Sequence, residues 1–184
     1  MLKKTIFLTC MAIGMNIISI AQDKFMTRTG HVEFFSHTPM EDIHAKSNQL
    51  TVLMDKSTGN IVCKVLIKSF EFEKALMQEH FNENYMESDK FPQSVFKGQI
   101  TNISEINFEK DGTYPATVEG ELTIKETTNK IKVTGSIIIT NGKPVIDAEF
   151  HISLKDYNVK NDKPKSISDD IKITVKAELE PYKK

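Results

Sequence analysis

The sequence contains no tryptophan, and charge of neither sign dominates it. Its 24 Lys and Arg residues are balanced by 25 Asp and Glu residues, for a formal net charge of −1. Nucleic-acid-binding domains usually carry a basic stripe, often with aromatic side chains beside it. The sequence has no such stripe, and only 8% of its residues are aromatic. We therefore expect no nucleic-acid partner.

The sequence also lacks the short motifs that mark catalytic and metal sites. It has no Gly-x-Ser-x-Gly nucleophile motif and no glycine-rich phosphate loop. Its five histidines show no zinc-site spacing, and Glu79-His80 is not followed by a second histidine one helical turn later. We therefore predict no catalytic residue, no metal and no cofactor, and expect that the protein is not an enzyme.

Residues 1–21 predict a cleavable signal peptide. A pair of lysines precedes an apolar run over residues 5–20, and Ala21 supplies a small residue for a signal peptidase. The run is short beside the roughly 20 apolar residues of a membrane-spanning helix. A retained membrane anchor is the alternative. We expect export to the periplasm or the cell exterior, no stable membrane anchor, and one mature domain over residues 22–184.

Cysteine is scarce, and Cys10 and Cys63 are the only two. Because Cys10 lies in the predicted signal peptide, the mature chain has no second cysteine for an internal disulfide. Cys63 lies in an apolar run, which favours a buried, inert thiol over a reactive one.

What the sequence does contain is a clear alternation of apolar and polar residues. Alternating runs include Ala116, Ile131, Ile146 and Ile171 on their apolar faces, and such runs are typical of an antiparallel sheet. Asn141-Gly142 predicts a type I′ hairpin, and a polar turn is expected over residues 126–129. Further strands are predicted over residues 30–36, 43–54, 61–72 and 94–100, with residues 103–108 as a candidate for one more. This number of short strands fits a closed barrel or a sandwich.

Small residues recur on the faces predicted to point inward. They are Ala45, Gly98, Ala116, Gly120, Gly135, Ala148 and Ala177. A barrel of about eight strands has an interior that side chains can fill or that can hold one slender ligand. Small residues would leave volume along the axis; alternatively, glycines mark corners and alanines fit a taper. The pattern alone leaves both interpretations open.

One helix-like segment, residues 71–86, interrupts the strands. Met77, Phe81 and Tyr85 form one apolar stripe at helical spacing, and Phe72 with Leu76 forms another. Pro92 is expected to end the helix, because proline disfavours helical dihedrals in the preceding residue. We expect this insert to cap one barrel mouth, either as a plug or as a moving lid.

The segment LMQEHFNENYMESDKFPQSVFKG and the later DGTYPATVEGELTIKETTNKIKVTGSI resemble the YceI-like family of exported lipid-binding barrels. Tyr85, Phe91-Pro92 and Phe96 match one family pattern, and Gly120 with residues 122–124 matches another. Lys125-Glu126 stands where many members have His-Gly. The resemblance covers residues 22–184 and implies an all-β, extended, antiparallel lipocalin-like β-barrel of about eight strands. It also implies a long isoprenoid or other amphiphile inside the barrel, and it favours a ligand tunnel over a filled interior.

We therefore predict a non-catalytic protein that sequesters or carries a long apolar lipid, such as a polyisoprenoid or an isoprenoid quinone. The predicted wall and mouth residues are Phe72, Leu76, Phe81, Tyr85, Phe96, Val118, Gly120, Leu122, Val133, Gly135, Ile137, Phe150, Ile152 and Val175. A structural or interaction module of the cell envelope with a filled barrel is the alternative. An enzyme that acts on a lipid ranks third. The sequence leaves open whether the protein is a monomer or a dimer.

Overall fold

A computed structural model describes residues 23–182, so the predicted signal peptide lies outside the described residues. The strands are β1 Lys24–His37, β2 Asp42–Asp55, β3 Asn60–Leu66, β4 Glu71–Phe72, β5 Gln93–Ile100, β6 Gly112–Ile124, β7 Thr127–Thr140, β8 Lys143–Ser153, β9 Asp170–Glu178 and β10 Glu180–Pro181. Helix α1 covers Ala75–His80, and a π-helical turn, Phe81–Tyr85, continues it. Short 3-10 segments cover Ile67–Ser69, Ile103–Glu105 and Lys155–Tyr157. No helix in this part of the chain is both long and apolar enough to cross a membrane.

The sheet closes on itself because β1 pairs with both β2 and β9. Apart from β4 and β10, which have two residues each, every strand pairs with the next one along the chain, always antiparallel. The result is an up-and-down barrel of eight long strands with one short helical insert. The predicted all-β barrel is therefore confirmed.

The two hairpins of the second half are tight turns. Asn141 and Gly142 have φ values of 52° and 73°, the left-handed pair that a type I′ turn requires. The preceding hairpin turns at Lys125-Glu126, where Lys125 has a φ of 53° and Ile124 pairs directly with Thr127. The predicted turn over residues 126–129 was therefore placed too late. Thr128 and Asn129 already belong to β7, where Thr128 lies on the exposed face and Asn129 on the opposite, half-buried face.

Two predicted strands differ from the structure. Residues 103–108 form a 3-10 turn and a loop in place of a strand, and Ile106 in that loop is only 6% exposed. Phe108 stacks on Phe25 with ring centroids 6.3 Å apart. The apolar residues of this segment therefore pack across a barrel end. The strand predicted over residues 61–72 breaks after Leu66, and Phe72 pairs with Ala45 in the short β4.

The two ends of the barrel are built differently. One end, here called the mouth, carries the loops over residues 38–41, 67–92, 125–126 and 154–169. The other, here called the closed end, carries residues 56–59, 101–111 and 141–142. Tightly buried apolar side chains fill the closed end, among them Phe25, Met54, Ile100, Ile106, Ile139 and Leu179. The mouth is therefore the end at which a binding site can open.

The helical insert lies between β3 and β5, at the mouth, where the sequence predicted a cap. It is shorter than residues 71–86, because only residues 75–85 are helical. The Met86 amide donates to the Phe81 carbonyl at 2.9 Å. Glu87 then adopts a φ of 48°. This left-handed residue ends the helix several residues before Pro92, which was predicted to end it.

Candidate ligand-binding cavity

An apolar cavity of about 450 Å³ opens at the mouth of the barrel. Inward side chains from all eight long strands line it, together with residues of the insert and of the loop over residues 154–169. Small-molecule sites in proteins usually measure about 300–1,000 Å³ and are lined mostly by hydrophobic side chains. The cavity matches that description in size and in lining.

The cavity is blind. Its deepest wall residues include Leu50, Val118 and Ile146. Ile137, which pairs with Ile146, and Ile139, which is nearer the closed end, do not line the cavity and are at most 2% exposed, so no free bore continues past them. Nearer the mouth, inward residues such as Leu122, Phe150 and Ile173 remain partly exposed although they face the barrel axis. Side chains therefore fill the closed half of the barrel. The empty volume is confined to the half nearer the mouth and does not run the whole length of the barrel.

The depth of the cavity follows from strand geometry. Ile146 lies near its floor and Ile152 near its mouth, both on β8. At roughly 3.4 Å per residue this step is about 20 Å of strand, or about 15 Å along the axis for a strand tilted by ~40°. The shape is that of a narrow, deep pocket, which suits a chain-like ligand better than a compact one.

Four phenylalanine rings form a cluster on one side of the mouth. Phe81 of the π-helical turn packs against Phe34, Phe70 and Phe72, with ring centroids 5.4, 5.7 and 5.1 Å away. Phe34 also contacts Phe70 and Phe72, at 5.4 and 5.8 Å. Because Phe81 is the only member of the cluster that the helical segment supplies, it anchors this segment to the barrel.

A second apolar cluster joins the insert to the loop over residues 154–169. Its buried members are Ile67, Met86, Ile124, Tyr157 and Val159. Tyr85 and Leu122 pack against them. The loop is therefore part of the mouth wall.

Polar contacts also tie the insert to the other mouth loops. Lys74 Nζ lies 3.2 Å from Glu41 Oε1, and Lys125 Nζ lies 2.5 Å from Glu87 Oε1. The hydrogen bond from Lys125 lowers the pKa of the Glu87 carboxyl. Tyr85 donates its hydroxyl to Asp162 Oδ1 at 3.4 Å, and desolvation, together with this carboxylate, raises the pKa of the tyrosine. An ion pair as exposed as Lys74–Glu41 contributes little to stability, so the apolar clusters contribute most of the attachment of the insert.

Ten of the predicted site residues line the cavity. They are Phe72, Phe81, Tyr85, Phe96, Val118, Leu122, Val133, Phe150, Ile152 and Val175. Two others lie elsewhere. Leu76 is 61% exposed. Phe72 belongs to the short strand β4, so the helical stripe that Phe72 was expected to form with Leu76 does not exist. Ile137 belongs to the packed closed end and is 2% exposed.

The two predicted glycines, Gly120 and Gly135, are also absent from the wall. Gly120 pairs with Gly98 across β5 and β6, and a Cβ atom on either would come within 2.8 Å of the Phe96 ring. A Cβ on Gly135 would lie 2.6 Å from the Asp147 carbonyl oxygen. These glycines therefore give room to a neighbouring ring and to a neighbouring strand, and they do not themselves border the empty volume. Ala148, by contrast, does line it.

Several wall residues were not among the predicted site residues. Val32, Phe34 and Leu50 come from β1 and β2, where register shifts around Gly30 interrupt the alternation. The alternation of Val32 with Phe34 is a signal that could have identified these two residues. Tyr157 comes from a loop without any periodic pattern, so no comparable signal marked it.

Cys63 lies in the cavity wall and is half-buried there. Burial raises the pKa of its thiol to about 12. Since the thiolate is the reactive form, a thiol with so high a pKa should react slowly at neutral pH, and the inert thiol that the sequence favours stays a prediction. Within residues 23–182, no group of three or more His, Cys, Asp or Glu side chains is arranged to hold a metal ion.

A sequence profile of the YceI-like domain matches residues 20–179. No curated protein matches the chain significantly. Among solved structures, a polyisoprenoid-binding domain from Saccharophagus degradans, described as implicated in plant cell wall breakdown, superposes with a TM-score of 0.75 at 10% identity. That alignment covers 88% of this chain and 99% of the other.

Two further structures share the architecture. BcnA from Burkholderia cenocepacia has a TM-score of 0.68 at 16% identity, over 82% of this chain and 96% of its own. A YceI protein from Campylobacter jejuni has a TM-score of 0.55 at 16% identity, over 74% and 81% of the two chains. At sequence identities this low, the three structures show that this chain shares their fold and nothing more.

Proposed function

The chain belongs to the YceI-like domain family, and on that basis we propose that it is a non-catalytic binding protein which sequesters or carries a long apolar lipid in its barrel. The single observation that carries the proposal is the blind apolar cavity of about 450 Å³ at the mouth. A polyisoprenoid or isoprenoid-quinone-like chain fits the narrow, deep shape. The Saccharophagus degradans neighbour, itself described as polyisoprenoid-binding, supports this ligand class.

Desolvation supplies the affinity in this proposal. Each buried methylene contributes roughly 0.8 kcal/mol, so about ten methylenes contribute about 8 kcal/mol, which corresponds to a Kd near 1 μM. The wall needs no charged group for this purpose. Its aliphatic and aromatic side chains provide the apolar surroundings.

We also propose that the protein is exported, with residues 1–21 removed as a signal peptide and no stable membrane anchor left. The lysine pair, the apolar run and the small residue at position 21 support this proposal. Long apolar chains are poorly soluble in water, so a protein that shields one would serve in the aqueous space outside the cytoplasmic membrane.

The proposal is tested by extracting the protein, purified from its native host, with organic solvent and measuring lipid by mass spectrometry. We expect a lipid in a stoichiometric amount. The variant Val118→Phe adds roughly four carbon atoms to the deep wall and displaces about four methylenes of ligand, which weakens binding about 200-fold. Val62→Phe is the matched control, because Val62 lies on a barrel strand but is 37% exposed on the outside.

Two results would contradict the proposal. One is an extract without stoichiometric lipid. The other is equal lipid retention by Val118→Phe and the wild type. Either result would favour the envelope interaction module, for which the outer surface matters and the cavity does not.

A further inference from the structure

The polar side chains in the cavity wall are concentrated toward the mouth. They include Ser36, Glu41, His80, Tyr85, Tyr157 and Lys163. The floor is lined by aliphatic residues such as Leu50, Val118 and Ile146. A lipid with one polar end would therefore bind with its tail on the floor and its polar end at the mouth.

Tyr157 stands out among these residues. Its side chain belongs to the wall, and the residue is 2% exposed. Within the described part of the chain its hydroxyl oxygen has no hydrogen-bond partner. Buried polar groups almost always have a partner, and an unpaired one reduces stability. The oxygen is closed to solvent, so it lies just behind the lining surface.

The position of Tyr157 is set by its neighbours. Asn158 adopts a φ of 54° and donates its Nδ2 to Thr127 Oγ1 at 3.0 Å. Asn129 Nδ2 donates to the Asp156 carbonyl oxygen at 2.6 Å. Both bonds tie the loop to β7, so the tyrosine is held in the wall by contacts that do not use its hydroxyl.

The charges at the mouth favour a ligand group that accepts hydrogen bonds. Glu41 is paired with Lys74. Asp162 accepts a hydrogen bond from the Tyr85 hydroxyl. Lys163, which also lines the cavity, forms no ion pair within residues 23–182. Burial, with a smaller effect from Asp156, raises the pKa of Tyr157 to about 12, so its hydroxyl keeps its proton at neutral pH and can donate.

We propose that the ligand ends in an oxygen acceptor, a carbonyl or a carboxylate, and that the Tyr157 hydroxyl donates a hydrogen bond to it. This inference rests on the proposed lipid-binding function. This hydrogen bond forms when a partly buried side chain next to Tyr157 moves aside as the ligand binds. Lys163, at the same mouth, contributes only when the acceptor carries a negative charge.

The test compares three probes with the same farnesyl skeleton, bound to delipidated protein: farnesene, methyl farnesoate and farnesoic acid. Wild type should bind the ester or the acid about tenfold more tightly than farnesene, the gain expected from one hydrogen bond to a buried group. Tyr157→Phe should remove that gain and leave the Kd of farnesene unchanged. If the acceptor is a carboxylate, Lys163→Gln weakens the binding of farnesoic acid only. If the acceptor is a neutral carbonyl, Lys163→Gln leaves the binding of both oxygenated probes unchanged.

The outcomes separate this inference from the proposed function. If none of the three probes binds, the lipid-binding proposal fails. If all three bind equally, or Tyr157→Phe retains the preference for the oxygenated probes, only the role of Tyr157 is overturned. Tyr157→Phe should also melt at the same temperature as the wild type or higher, because the hydroxyl is unpaired. A lower Tm would show that the hydroxyl already has a partner, and would overturn the inference.

Discussion

Replacing Phe81 by alanine should remove the aromatic one of the two apolar attachments of the insert to the barrel and lower stability substantially. Phe81 is the residue through which the π-helical turn meets the aromatic cluster, with three ring contacts at 5.1–5.7 Å. A buried Phe→Ala replacement costs about 3–5 kcal/mol. Because Phe81 is partly exposed, we expect a smaller loss, about 2–3 kcal/mol in the free energy of unfolding.

The loss should be measured by urea denaturation and by the thermal midpoint. For a domain of this size, each kcal/mol shifts Tm by about 2–4 °C, so Phe81→Ala should melt about 4–12 °C below wild type. Leu76→Ala is the control on the same insert. Leu76 is 61% exposed, and surface replacements usually change stability by less than about 0.5 kcal/mol.

We therefore expect the insert to be a packed plug and not a moving lid. This expectation would be refuted if Phe81→Ala, like Leu76→Ala, had the same urea midpoint as the wild type. That result would mean that the insert is anchored by the second apolar cluster alone and that the aromatic contacts contribute nothing measurable.

Two further predictions concern other parts of the barrel. Gly142→Ala should destabilise the protein by about 1 kcal/mol or more, because Gly142 has a φ of 73° in the turn between β7 and β8. Gly112→Ala, where the new Cβ meets only ordinary contacts with Tyr114 at 3.5 Å, should change the urea midpoint little, and equal effects would contradict the turn assignment. Cys63 should resist a thiol reagent such as dithionitrobenzoate at pH 8 in the folded protein and react fully in urea, because its pKa is about 12. Rapid reaction without urea would show that the thiol is accessible.

The alternation of the second half was sufficient to predict the fold. In β6 to β9 one face is apolar and the other polar, so the pattern indicates which side chains point inward. The first half was harder to interpret, because the register shifts around Gly30 move the inward positions of β1 and β2. The loop over residues 103–108 was misassigned because it too is rich in apolar residues, which pack across the closed end.

The extent of the cavity could not be predicted from the sequence. Ile137 and Leu122 are both inward aliphatic residues on neighbouring strands, yet one is sealed in the closed end and the other lines the cavity. The difference arises from side chains distant in sequence, such as Phe25 and Leu179, which meet only in the folded barrel. The role of Gly98 and Gly120 likewise depends on where the Phe96 ring lies, which no local pattern specifies.

In the proposed function, the apolar cavity holds one lipid chain. Native mass spectrometry of the intact protein from its own host tests it most directly, by weighing the protein with whatever it retains. We expect a mass increase of one lipid per chain for the wild type and for Val62→Phe, and no bound lipid on most molecules of Val118→Phe. A wild-type mass equal to that of the bare chain under conditions that preserve the fold would contradict it.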